Sequence, residues 1–125
     1  MTATWKIELV PVPVTDVDRA KEFYVRIGFA ADHDRQVREG LRFVQLTPPG
    51  SACSIVIGEG ITGKTPGTQE IQVVVPDAEI ARKQLVEAGV EASEIDDQPW
   101  GHFVYFKDPD GNSWSLQAID HRPQG

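Results

Sequence analysis

Three side chains in the second half of the chain could take part in chemistry: Glu70, His102 and Tyr105. A buried carboxylate without a partner has a raised pKa, so Glu70 could act as a base or bind a cationic group. The alternative is a solvated residue at the start of a strand. His102 lies between aromatic residues, where a packing role competes with contact to a ligand.

Aromatic residues lie close together near these candidates. They are Trp100, Phe103, Tyr105 and Trp114. Because side chains alternate along a strand, Phe103 and Tyr105 are predicted to share one face of a sheet. An aromatic-lined trough with a few polar groups suits a planar or amphipathic small molecule, and the alternative is that these rings are core.

The chain repeats itself. A shift of 61 residues, which moves Leu9 onto Glu70, aligns residues 9–58 with residues 70–119 without a gap. Eleven of the fifty aligned positions are identical, where unrelated segments of ordinary composition would share roughly three or four. The shared Asp, Gly and Pro residues fall where helices start or stop and where turns occur, so two copies of one structural unit are predicted.

Each copy is predicted to have the order βαβββ. Asp16 and Asp77 are predicted helix caps, and Gly28 and Gly89 are predicted helix ends. The other predicted elements are strands at 6–14, 29–34, 41–47, 52–57, 70–75, 103–106 and 113–119, and turns at 48–50 and 108–111. We expect one α+β domain with repeats at about 5–58 and 69–120, a linker at 59–68, and a loose tail from His121.

The composition of the chain argues against several classes of partner and location. The chain has 125 residues, and its 12 basic and 19 acidic residues give a net charge of −7. This charge repels phosphate backbones and anionic lipid, so neither nucleic acid nor a membrane surface is an expected partner. No apolar run approaches the roughly eighteen residues of a membrane span and no signal peptide is apparent, which predicts a cytoplasmic protein. The single Cys53 cannot form an internal disulfide.

The motifs at 12–24 and 106–112, VPVTDVDRAKEFY and FKDPDGN, resemble the opening strand and helix and the closing turn of the vicinal oxygen chelate superfamily. That superfamily includes glyoxalases, bleomycin-resistance proteins, fosfomycin-resistance enzymes and extradiol dioxygenases. The resemblance covers nearly the whole chain. It implies two modules whose curved, mixed sheets form a cup around a ligand, and it implies a homodimer.

The resemblance also places the family's metal ligands on the first and last strand of each module. The matching positions here are Leu9, Ser54, Glu70 and Ser115. A divalent catalytic metal needs at least three good donors, and only Glu70 qualifies, so we expect no metal cofactor. Tyr105 matches a tyrosine that contacts ligand in fosfomycin-resistance enzymes. The repeat pairs Arg42 with Phe103, which would put Arg42 near the cup and within reach of an anionic group, unless it is simply an exposed strand charge.

The sequence therefore predicts a protein that binds a small organic molecule in the cup without the family metal. The alternative is a lyase or dioxygenase-type enzyme, with atypical metal ligands or with acid-base catalysis by Glu70 and His102 or Tyr105. An interaction module is a third hypothesis. The candidate ligand-binding residues are Leu9, Arg42, Ser54, Glu70, Gln72, Trp100, Phe103, Tyr105 and Ser115.

Overall fold

The computed structural model describes residues 2–119, so the predicted tail from His121 lies outside the described residues. Within this range the chain has two helices and eight strands. The first copy contains β1 (Leu9–Pro11), α1 (Val17–Arg26), β2 (Ala30–Arg38), β3 (Leu41–Thr47) and β4 (Ser54–Glu59). The second contains β5 (Glu70–Val74), α2 (Ala78–Glu87), β6 (Asp96–Gln98), β7 (Gly101–Lys107) and β8 (Ser113–Ala118).

Each copy builds its own four-stranded mixed sheet, in the order β1-β4-β3-β2 or β5-β8-β7-β6. In both sheets the first and last strands of the copy are parallel and the remaining neighbours are antiparallel. The chain divides into two compact units between Pro66 and Gly67. The predicted α+β class and the βαβββ order of both copies are confirmed.

Capping residues at the start and glycines after the end define the bounds of both helices. The Asp16 carboxylate accepts a hydrogen bond from the Arg19 backbone N–H at 3.0 Å, and the Asp77 carboxylate accepts from two backbone N–H groups of the first turn of α2. Such caps satisfy N–H groups that have no partner within the helix. Gly28 and Gly89 follow the helix ends with φ of +111° and +79°, a region that favours glycine. Each helix has ten residues, and none in residues 2–119 is long and apolar enough to cross a membrane.

The strands differ from the prediction in three main places, one of which is β2, predicted at 29–34 and found at Ala30–Arg38. The strand predicted at 6–14 spans only Leu9–Pro11, with Glu8 and Val12 also hydrogen-bonded to β4, and Pro13 has no N–H with which to continue the pairing. In the second copy no strand was predicted between α2 and residue 103, yet β6 lies there and pairs with β7. β6 is short and made of Asp, Asp and Gln, so it carries no apolar alternation by which it could be recognised.

The repeat is not gapless in three dimensions. Leu9 pairs with Ser54 in the first sheet, whereas Glu70 pairs with Ser113 in the second, so that Ser115 lies beside Gln72. The cause is the turn before the last strand. β8 begins two residues after Gly111, whereas β4 begins four residues after Gly50. The second turn is tight because the Asp108 backbone N–H donates to the Asn112 carbonyl at 3.0 Å.

Each sheet has one face against its own helix, and we call the other face the open face. In the first unit, ion pairs identify the helix face, since Arg42 of β3 and Asp34 of β2 bind Asp18 and Lys21 of α1. Strand alternation then assigns the buried aliphatic residues to this helix face. They are Val44, Leu46, Ile55 and Ile57.

The charge cluster between α1 and its sheet is partly buried at Arg42 and exposed at Asp18. The Arg42 guanidinium donates to both Asp34 carboxylate oxygens at 3.0 and 2.8 Å and to Asp18 at 2.8 Å, and Lys21 donates to Asp34 at 2.8 Å. The side chains of Arg42 and Asp34 are 16% and 27% exposed. Hydrogen bonds from Arg42 and then from Lys21 hold the pKa of Asp34 well below its usual value.

We predict that this cluster makes the stability of the first unit depend on pH. Because the pKa of Asp34 is lowered in the folded state, its contribution is complete above the pKa of an unfolded Asp, about 3.9, and is lost as pH falls below that value. Asp34→Asn should lower the free energy of unfolding by about 1 kcal/mol at pH 7 and by much less at pH 2 to 3. Urea unfolding at both pH values measures this difference.

Glu39→Gln is the matched control for this prediction, since Glu39 lies exposed in the turn between β2 and β3. An equal loss of stability for the Asp34 variant at both pH values would contradict an electrostatic role.

Candidate functional site

The open face of the second sheet carries most of the predicted site residues. Strand register brings them together as three rows across the sheet. The rows are Glu70, Ser113 and Lys107; Gln72, Ser115 and Tyr105; and Val74, Gln117, Phe103 and Asp96. The opposite face is mostly apolar and includes Phe106 and Trp114, whose rings stack at 5.9 Å between centroids. Most polar side chains of β5 and β8 therefore lie on the open face.

Tyr105 is the central aromatic residue of this open face. Its ring lies 6.0 Å from the Phe103 ring with planes only 15° apart, and Phe103 is 5% exposed whereas Tyr105 is 39% exposed. The buried Phe103 ring thus supports a Tyr105 ring that solvent can reach. The prediction that these two residues share a face agrees with this arrangement.

Asp96 fixes the Tyr105 hydroxyl. The Tyr105 O–H donates to Asp96 Oδ2 at 2.6 Å, and the Gln98 side-chain amide donates to Asp96 Oδ1 at 2.9 Å. The hydrogen bond to Asp96, then burial and the nearby negative charge, raise the pKa of Tyr105. Tyr105 therefore keeps its proton near neutral pH, and it is unsuited to act as a general base.

A second set of linked hydrogen bonds, from Gln72 through Gln117, crosses the same face. The Gln72 side-chain amide donates to Gln117 Oε1 at 2.7 Å, and the Gln117 amide donates to the Trp100 backbone carbonyl at 2.9 Å. The Trp100 side chain is exposed in the turn between β6 and β7. These bonds fix the orientation of both amides and leave the Gln72 carbonyl oxygen as an acceptor.

Glu70 lies at the other end of this face. It is exposed, which matches the solvated alternative rather than a buried carboxylate. Glu70 and Lys107 flank Ser113 from neighbouring strands, so a positive and a negative charge face the same row.

Arg42 and His102 are not brought onto this face. The prediction that Arg42 lies near the ligand is corrected, whereas a packing role for His102 was one of its two alternatives. Arg42 lies on the helix face of the first sheet, bound to Asp34 and Asp18. The gapless repeat equated it with Phe103, but the strand registers of the two units differ. His102 pairs with Asp97 and, by alternation, lies on the face opposite Tyr105.

The open face of the first sheet holds a separate polar chain. Leu9 lies beside the buried Ser54, whose hydroxyl oxygen is 2.6 Å from Thr47 Oγ1 and accepts from the Gln45 amide at 3.3 Å. The Thr47 hydroxyl donates in turn to the Asp32 carboxylate. These hydrogen-bonded side chains were not predicted, although Gln45 and Thr47 alternate with apolar residues along β3.

Asp96 and Gln117 were also missed. Gln117 could have been found from the alternation of Ser115 and Gln117 with apolar residues along β8. Asp96 lies on the strand that no pattern revealed.

The residues at the family's metal positions do not fit a metal ion. Leu9 has no donor atom, and the Ser54 hydroxyl is already engaged by Gln45 and Thr47. Glu70 is the one carboxylate of the set. In the part of the chain that the structure describes, no group of three or more His, Cys, Asp or Glu residues could hold a metal ion.

Known proteins resemble the chain over most of its length. The family model of the Glyoxalase/Bleomycin resistance protein/Dioxygenase superfamily matches residues 6–116. The crystal structure of TnmS3, an antibiotic binding protein from Streptomyces sp. CB03234, superposes with a TM-score of 0.86 at 30% identity, covering 96% of this chain and 100% of TnmS3.

Two further proteins are similar to this chain over most of its length. A superfamily member from Sphaerobacter thermophilus has a TM-score of 0.79 and 30% identity, covering 92% of this chain and 98% of its own. YetH, an uncharacterized protein of Bacillus subtilis, is 28% identical over 116 residues, which are 90% of this chain and 97% of YetH.

We predict that the protein binds no stoichiometric Zn²⁺, Mn²⁺, Ni²⁺ or Fe²⁺ at Glu70, because Leu9, Ser54 and Ser115 cannot complete a coordination shell. Calorimetric titration with each ion should give no saturable binding that depends on Glu70. Glu79→Gln, a change of an exposed carboxylate on α2, is the control. Tight binding abolished by Glu70→Gln and retained by Glu79→Gln would contradict the prediction.

Proposed function

Because the chain belongs to the Glyoxalase/Bleomycin resistance protein/Dioxygenase superfamily, we propose that it binds a small organic molecule without a metal ion. The proposed binding surface is the open face of the second sheet. The observation that carries this proposal is the accessible Tyr105 ring, supported by the buried Phe103 ring and bordered by polar groups of fixed orientation. Such a surface suits a flat ring with polar substituents.

The similarity to TnmS3, which is described as an antibiotic binding protein, supports the same class of function. Antibiotics of natural origin are small organic molecules, so the proposal for this chain stays at that chemical level.

The geometry gives less support to the enzyme hypothesis. Acid-base catalysis needs Glu70 beside His102 or Tyr105. His102 lies on the opposite face of the sheet, and the hydroxyl proton of Tyr105 is held by Asp96. Binding requires none of these proton transfers. The cytoplasmic location and the lack of nucleic-acid partners stay predictions from the sequence.

We predict that a neutral flat probe, 9-anthracenemethanol, binds to the protein and that Tyr105→Ala weakens its binding about fivefold to tenfold. The reason is the loss of ring stacking, worth about 1 kcal/mol. Fluorescence titration measures the dissociation constant.

Lys83→Ala, on the exposed side of α2, is the control and should bind the probe as the unaltered chain does. If the unaltered chain does not bind 9-anthracenemethanol, or if both variants bind it equally well, the proposed surface is wrong.

We also propose that the protein forms a homodimer. Trp5 and Ile7 precede β1 and are 90% and 72% exposed, and β1 is an edge strand that pairs only with β4 among the described strands. Exposed apolar side chains beside a strand edge favour association with a second copy.

Light scattering at micromolar concentration should give twice the chain mass of 13.8 kDa. A double variant with Ala in place of both Trp5 and Ile7 should shift the protein toward the monomer. The control Val25→Ala, on the exposed side of α1, should not. A monomer mass for the unaltered chain would rule the homodimer out.

A further inference from the structure

Asp96 lies at one end of the proposed binding surface with both carboxylate oxygens oriented. Gln98 donates to one oxygen and Tyr105 to the other. A carboxylate oxygen has two lone pairs, so each oxygen can accept a further hydrogen bond. In β6 and β7, Asp96 pairs with Phe103, which brings the carboxylate beside the stacked rings.

The hydrogen bonds at this end leave oxygen acceptors available to a ligand. The single hydroxyl proton of Tyr105 is given to Asp96, so the phenol oxygen offers lone pairs to a ligand. One N–H of the Gln72 amide donates to Gln117 Oε1, which fixes the orientation of the amide, and the Gln72 carbonyl oxygen is likewise an acceptor. Oxygen acceptors and the face of an aromatic ring both attract a positively charged hydrogen-bond donor.

The charges on the open face also differ from one end to the other. Lys107 lies two residues beyond Tyr105, in the row where Glu70 supplies the opposite charge. The rows that contain Tyr105 and Phe103 hold no basic side chain among the described residues of this sheet, and they hold Asp96. The Asp96 end is therefore negative, whereas the Glu70 end is balanced.

We infer that Asp96, with the Tyr105 and Phe103 rings, recognises a protonated amine carried by a flat ligand. The ammonium group would donate to Asp96 and lie against the accessible Tyr105 ring, where a cation is attracted by the ring electrons. This inference rests on the proposed function and adds the chemical class of the ligand.

The test compares three probes that share one ring: 9-(aminomethyl)anthracene, which is cationic at pH 7, 9-anthracenemethanol, which is neutral, and 9-anthracenecarboxylate, which is anionic. Fluorescence titration of the unaltered chain should rank them in that order. We expect the ammonium probe to bind at least tenfold more tightly than the carboxylate probe. This ranking is decisive even if a variant fails to fold.

Asp96→Asn should remove most of the preference for the ammonium probe while the neutral probe still binds. Asp97→Asn is a matched control, because it makes the same charge change at the next residue, on the opposite face. It should keep the preference.

Equal binding of the three probes, or tighter binding of the carboxylate, would overturn the inference and leave the proposed function standing. Retention of the full preference in Asp96→Asn would also overturn it. Binding of none of the probes would overturn both.

Discussion

One constraint governs each unit: its four-stranded sheet has two faces, but the unit has only one helix and can therefore cover only one of them. Because side chains alternate along a strand, the face against the helix must be apolar at nearly every second position. The other positions can be polar, although Val56 and Phe103 are buried on the open faces as well. In β8 the result is visible in sequence order, since Trp114, Leu116 and Ala118 are buried whereas Ser115 and Gln117 are half-buried. The polar open face is a consequence of covering the other face.

Polar groups on a partly buried surface are costly unless they are hydrogen-bonded. Both open faces meet this requirement with chains of hydrogen bonds whose direction is determined. Since Thr47 gives its proton to Asp32, Ser54 must donate to Thr47, and Gln45 donates to Ser54. In the second unit Gln72 donates to Gln117, which donates to the Trp100 carbonyl, and Tyr105 separately donates to Asp96. The ordered chains hold the groups that a ligand would meet in fixed positions.

The features that could be predicted from the sequence depend on neighbouring residues. Asp16 and Asp77 cap the helices, and Gly28 and Gly89 end them, because each acts within one turn of its own position. Alternation within one strand correctly placed Phe103 and Tyr105 on the same face.

Features that depend on pairing between strands could not be predicted. Arg42 was matched to Phe103 by a gapless alignment. Arg42 pairs with Glu59 at the end of β4, whereas His102 pairs with Ala118 at the end of β8. Arg42 is therefore the counterpart of His102, one residue before Phe103 and on the other face of the strand. The strand containing Asp96 has no apolar pattern, and only its pairing with β7 reveals it. The polar partner of Tyr105 was therefore missed, although Tyr105 itself was named.

Binding of a small molecule on the open face of the second sheet can be measured residue by residue. The most direct measurement is an NMR titration of the side-chain amide resonances with 9-anthracenemethanol. We expect shifts for Gln72 and Gln117 on the open face and none for Gln84 on the exposed side of α2. Shifts confined to Gln84, or no shifts at saturating probe, would contradict it.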